Sequence, residues 1–256
     1  MIEIVVLGSG SRGNATLIRC GTSTVLIDAG FSTRELCRRM EAVGQDPKRI
    51  DLILLTHEHG DHIAGLRTFT RRFGTPVYGT AGTLNALQRE LADAPDIVQF
   101  QTGEPFQAGC FTVQAFPIPH DAVDPVGFVL TVEGATVGYA TDLGHVTRLV
   151  EERLRNCVAL IFEANHDRKM LMDGPYPWVT KQRVASRFGH LSNDHAAATL
   201  PLVARDARAL VLAHLSETNN DPTLCRATVE PALRAAGHRL DVHVAPQHRP
   251  TEWVRL

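Results

Sequence analysis

Short apolar runs, each closed by a polar or ionisable residue, recur along this chain. Residues 2–7, 15–20 and 24–28 are three such runs, too short for helices and read as strands; the third ends on Asp28. The segment Gly8-Ser9-Gly10-Ser11-Arg12-Gly13-Asn14 lies between the first two. No Gly-Lys-Ser/Thr follows it and the next run is a strand, so it reads as a tight glycine turn rather than a phosphate loop. Ser32-Thr33-Arg34-Glu35 is a capping box opening a helix that Gly44 closes. Residues 51–55 form a buried strand, and a helix is expected to start over 63–69.

Further strands are expected at 76–79, 97–101 and 110–118, with Thr80 capping a helix to about Leu91. Residues 128–132 and 136–140 flank Glu133-Gly134-Ala135, a hairpin turn. A helix over 146–156 and a strand over 158–164 follow. Pro177 suits the start of a helix over 178–188, and Ser192-Asn193-Asp194 caps one that Pro201 should kink or restart. A strand at 209–213, a helix from Asp221-Pro222 to Gly237 and a strand at 240–244 complete the chain. Hairpins followed by strand–helix units, with no Pro/Gly/Ser-rich linker, predict one α/β domain spanning 1–256, with two sheets and helices on both outer faces.

Composition narrows this little. Hydrophobic content of 44% with 21% charged residues is that of a soluble globular protein, expected in the cytoplasm. No signal or membrane-spanning segment is seen, and a net charge of −2 gives no global attraction to polyanions. Five dispersed cysteines without Cys-x-x-Cys spacing argue against a disulfide framework or a thiolate zinc site.

The twelve histidines change the picture. Thr56-His57-Glu58-His59-Gly60-Asp61-His62 crowds three imidazoles and two carboxylates where a strand ends. Such a group is costly near a core unless a positive ion sits among it, and a divalent metal takes these ligands. His120, Asp142, Glu163 and His214 also end apolar runs, which is where α/β folds gather their sites. A lone histidine after a strand is usually a surface or core residue; this many strand ends together point to metal. His145, His166, His195, His238, His243 and His248 lack ligand spacing and default to surface or supporting positions.

His57-x-His59-x-Asp61-His62, preceded by Asp28 and followed by His120, Asp142 and His214, resembles the metallo-β-lactamase superfamily motif series. The resemblance implies an αββα sandwich of two mixed sheets flanked by helices. It implies two divalent ions, Zn2+ or Mn2+: one held by His57, His59 and His120, the second by Asp61, His62 and His214, with Asp142 bridging. Asp28 would hydrogen-bond the histidine loop without touching metal. Glu163 and His190 resemble the extra acid and histidine of the superfamily's phosphodiesterases and nucleases. There the histidine gives a proton to the leaving oxygen and the acid orients it; Asp61 would orient or deprotonate the nucleophile. Together with Ile118-Pro119-His120-Asp121, residues 163–167, 189–193 and 213–220, the set looks like the YycJ/WalJ subgroup, associated with 5′→3′ exonuclease activity on DNA. No insertion large enough for a β-CASP clamp lies between Asp142 and His190.

A local basic stretch supports a nucleic-acid substrate, DNA ends above all. Arg168, Lys169, Lys181, Arg183 and Arg187 outnumber Asp167 and Asp173 between His166 and His190. Tyr176 and Trp178 could stack on bases; the plainer reading is a solvated helix face with one core tryptophan. A small-molecule phosphodiesterase or ester hydrolase, and a metal-binding regulatory module without turnover, are the rival readings. The Glu163/His190 pair weighs against the last, since binding alone needs no proton donor.

Overall fold

In the computed structural model, which describes residues 1–256, the apolar runs pair into two seven-stranded mixed sheets. The first contains β1 (Ile2–Gly8), β2 (Ala15–Cys20), β3 (Ser23–Ile27), β4 (Leu52–Leu54), β5 (Val77–Gly79), β6 (Ile97–Gln99) and β14 (Val254–Arg255), in the order β14-β1-β2-β3-β4-β5-β6. The second contains β7 (Pro105–Ala108), β8 (Phe111–Pro117), β9 (Val126–Val132), β10 (Ala135–Ala140), β11 (Ala159–Glu163), β12 (Ala209–Ala213) and β13 (Asp241–Val244), in reverse chain order.

Both sheets change character part-way. β1, β2 and β3 pair antiparallel through short turns, whereas β3 to β6 run parallel. Likewise β9 and β10 form a hairpin, and β10 to β13 run parallel. Parallel neighbours need long crossovers, and the helices supply them. These are α1 (Thr33–Ala42), α2 (Gly60–Ile63), α3 (Leu66–Phe73) and α4 (Ala81–Ala86) in the first sheet. In the second they are α5 (Arg148–Leu154), α6 (Arg168–Asp173), α7 (Trp178–Val184), α8 (Asn193–Val203) and α9 (Pro222–Ala235). The β9–β10 turn places Glu133 (φ 51°) and Gly134 (φ 80°) in the left-handed region, the conformation a two-residue hairpin requires.

The chain forms two compact units, 1–115 with 122–126 and 246–256, and 116–121 with 127–245. Each has its own apolar core. In the first, Leu36, Met40 and Phe69 from α1 and α3 pack with Leu17, Leu26 and Ile53. In the second, Leu154, Leu200 and Val229 from α5, α8 and α9 pack with Leu160, Phe162 and Leu212.

Several boundaries differ from the sequence expectation. The capping box is half-formed: Ser32 Oγ accepts the Glu35 amide, but the Glu35 carboxylate binds Arg38 and Arg39 instead. Helical structure begins at Gly60, inside the histidine stretch, and breaks at Gly65, where a Cβ would lie 2.1 Å from the Phe31 carbonyl oxygen. α4 stops at Ala86 because the Leu87 amide is shared between the Thr83 and Leu84 carbonyls, which tightens the turn. α8 runs as one helix through Pro201 to Val203, so the proline does not restart it. Pro177 is the N-cap of α7, which ends at Val184. β7, β14 and α6 are too short to carry a periodic signal; Asp167, whose Oδ1 accepts the Met170 amide, caps α6. All five cysteines are free thiols, and burial pushes Cys157 and Cys225 up to about 12, beyond reactivity at neutral pH. No helix is long and apolar enough to cross a membrane.

Candidate metal centre

Three polar residues leave their strands in the same unusual conformation. Asp28 (φ 60°) follows β3, Asp142 (φ 58°) follows β10 and His214 (φ 57°) follows β12. A left-handed non-glycine residue costs about 1–2 kcal/mol, and such strain gathers at functional sites. Here each turn swings a side chain off the end of a parallel strand.

In the first unit Asp28 is fully buried and organises the histidine loop. Its Oδ1 accepts the Thr56 amide (2.9 Å), and its Oδ2 lies 2.8 Å from Thr56 Oγ1 and 2.7 Å from His62 Nδ1. Thr56 Oγ1 donates to Asp28 and so is left to accept the His57 Nδ1–H, 2.9 Å away. Both histidines are thereby held as tautomers whose Nε2 carries the lone pair, the form that binds metal. Burial pushes the Asp28 carboxyl above its ordinary value, against the pull of His62 and Thr56. The His57 ring lies 4.6 Å from His59 and 4.1 Å from His62, centroid to centroid. Asp61 Oδ2 stands 3.7 Å from His62 Nε2, and Asn14 Nδ2 lies 3.3 Å from the same oxygen. Glu58 Oε1 accepts the Val123 amide (2.8 Å).

The second unit gathers His120, Asp142, Glu163, His190 and His214. Ligand-type atoms of the last four lie within 4.8 Å of one another. His120 Nδ1 donates to the Gly189 carbonyl (3.1 Å), again leaving Nε2 as the acceptor nitrogen. Burial lowers the His120 pKa and favours the neutral ring. Asp142 Oδ1 stands 3.8 Å from His120 Nε2 and 3.3 Å from His214 Nε2.

Glu163, fully buried, is the hub. Its Oε1 lies 2.8 Å from His190 Nδ1 and 3.2 Å from His214 Nδ1, while Oε2 accepts the Leu143 (2.5 Å) and Leu191 (3.2 Å) amides. Burial raises its pKa, but His190 and His214 outweigh that and hold the carboxyl below its ordinary value. His190 keeps 18% of its side chain exposed, against 1% for His120 and 2% for His214. His190 is therefore the most accessible of the three imidazoles. These imidazoles, with Nδ1 turned to buried oxygen partners, and the carboxylates beside them form a donor set suited to divalent metal.

Five supports were not visible in the sequence. Asn165 Nδ2 donates to the His214 carbonyl (2.7 Å) and braces that left-handed turn. The Gly189 carbonyl and the Leu143 and Leu191 amides are backbone groups with no residue-type signal. Gly30 is required because a Cβ there would lie 1.8 Å from the Asp61 carbonyl oxygen; its place two residues past Asp28 was the available clue. His166 is buried rather than superficial, and burial lowers it to about 4.

The basic stretch is weaker than its composition suggested. Lys169 pairs with Asp173 and Arg183 with Asp121, each at 2.5 Å. Lys181 is buried with Nζ on the Met172 carbonyl (2.6 Å), which makes it a brace between α6 and α7. Arg187 lies 3.2 Å from His145 Nε2, and Arg168 is exposed. Trp178 is 62% exposed, so it is not a core tryptophan.

Residues 23–215 match the family model described as the beta-lactamase superfamily domain. Exodeoxyribonuclease YycJ of Bacillus anthracis is 33% identical over 261 residues, covering 98% of each chain. Exodeoxyribonuclease WalJ of Streptococcus pneumoniae is 31% identical over 236 residues, 90% of this chain and 88% of that one. The crystal structure of the metallo-beta-lactamase fold protein YhfI from Bacillus subtilis aligns with a TM-score of 0.76 over 98% of this chain and 100% of that one, at 21% identity.

Proposed function

The chain belongs to the metallo-β-lactamase superfamily and to its YycJ/WalJ group, and from that premise we propose a dinuclear phosphodiesterase acting as a 5′→3′ exonuclease on DNA ends. That it is a hydrolase follows from the family; the two metals and the substrate are our reading. His57, His59 and His120 would hold one divalent ion, Asp61, His62 and His214 the other, and Asp142 would be shared. Histidine-rich ligation suits Zn2+, and the carboxylates admit Mn2+. When bound, such ions supply Lewis acidity toward a phosphate and activate water at neutral pH.

The observation that carries the reading is the Glu163–His190 pair. With Nδ1–H committed to Glu163, the protonated ring presents its Nε2–H outward, where the departing alkoxide of a cleaved P–O bond needs a proton. Asp61, with 23% of its side chain exposed beside buried His62, orients the attacking water and can accept its proton. Arg168, Lys169 and Arg187 would serve as phosphate contacts, while Arg183 and Lys181 are engaged by Asp121 and the Met172 carbonyl. Trp178 offers a stacking face for a terminal base.

The test is digestion of end-labelled duplexes, with 5′-phosphate or 5′-hydroxyl, under added Mn2+ or Zn2+. Labelled mononucleotide released first from the 5′ end is expected. Internal fragments would make the enzyme an endonuclease. Turnover of simple diesters but not DNA would make it a small-molecule phosphodiesterase.

A further inference from the structure

A groove of about 740 Å3 in the second unit is lined by four arginines, Arg208, Arg226, Arg234 and Arg239, and by the acids Glu230 and Asp241. Glu230 is already engaged: its two oxygens accept Arg226 and Arg234, each at 3.1 Å. Arg226 also donates to the Val242 carbonyl on β13, the terminal strand of its sheet. Four guanidiniums against two carboxylates leave an excess of two positive charges on a chain whose net charge is −2. Guanidinium forks in a concave wall suit phosphate oxygens.

The position of the groove is informative. Arg208 immediately precedes β12 and His214 immediately follows it, so the groove and His214 mark opposite ends of one strand. At about 3.3 Å per residue the two ends are roughly 20 Å apart. A stacked nucleic-acid strand advances about 3.4 Å per nucleotide and covers that distance in no fewer than about six nucleotides. Building on the nuclease reading, we propose that this groove binds the phosphate backbone of a nucleic-acid strand whose end lies at the metal centre, and engages only strands longer than about six nucleotides.

Fluorescence anisotropy with cleavage-resistant phosphorothioate oligodeoxyadenylates, which stack, as a 20-mer and a 4-mer, tests this on the full chain. Arg208→Glu/Arg239→Glu should raise Kd for the 20-mer at least about tenfold. It should lower the slope of log K against log salt by roughly 1.4, two contacts at about 0.7 each. The 4-mer should be unaffected within about twofold. Arg208→Gln/Arg239→Gln should move the 20-mer the same way by less. Unchanged 20-mer affinity, equal losses for both oligomers, or a wild type that binds both alike would overturn the proposal. Because no cleavage is read, intact groove binding without nuclease activity would sink the exonuclease reading alone.

Discussion

The two units present histidines in the same way and use their buried acids differently. In the first, Asp28 fixes His62 directly and His57 through Thr56, so every imidazole it controls is a proposed metal ligand. In the second, Glu163 holds His214, a proposed ligand, and His190, the proposed proton donor, on one oxygen. The first acid has one task and the second has two. Metal binding and chemistry are thus separable from the side of Asp28 and joined at Glu163.

Mutations can break this contrast. The largest effect is expected for Glu163→Gln, which frees two imidazoles and alters the environment of two backbone amides. Turnover should fall about 10³–10⁴-fold and metal affinity about 10–100-fold, read by turnover on a simple diester and by metal titration. Asp28→Asn should cost metal affinity by a similar 10–100-fold, and raising the metal concentration should restore most of the activity. If saturating metal rescues Glu163→Gln fully, the second task assigned to Glu163 is wrong.

A smaller effect is expected on stability. His166, buried in the second unit, is lowered from 6.5 to about 4 by burial. Above pH 6.5 both folded and unfolded chains leave it neutral. As pH falls toward 4 the unfolded chain takes up a proton that the folded one refuses, so stability drops, by about 3 kcal/mol in all. Urea unfolding at pH 7.5 and 4.5 should show His166→Gln losing less stability than wild type over this interval. Equal losses would show that His166 is not the responsible group.

What the sequence made legible follows from how local each signal is. Strand ends were readable because an apolar run closed by Asp28, Asp142, Glu163 or His214 is a contiguous pattern. The turns at Glu133-Gly134 and Gly44 were readable from residue type. The sharing of Glu163 between His190 and His214 was not, since it joins positions 27 and 51 residues away in the chain. Nor was the Gly189 carbonyl beneath His120, because any residue supplies a carbonyl. The basic stretch misled for a related reason: counting cations could not foresee that Lys181 turns inward or that Arg183 finds Asp121.

We propose that His190 delivers a proton and holds no metal. Metal content and diester turnover of His190→Ala, measured on one preparation, test it directly. Wild-type metal stoichiometry with turnover reduced about 10²–10⁴-fold is expected. Metal content falling in step with activity would contradict it.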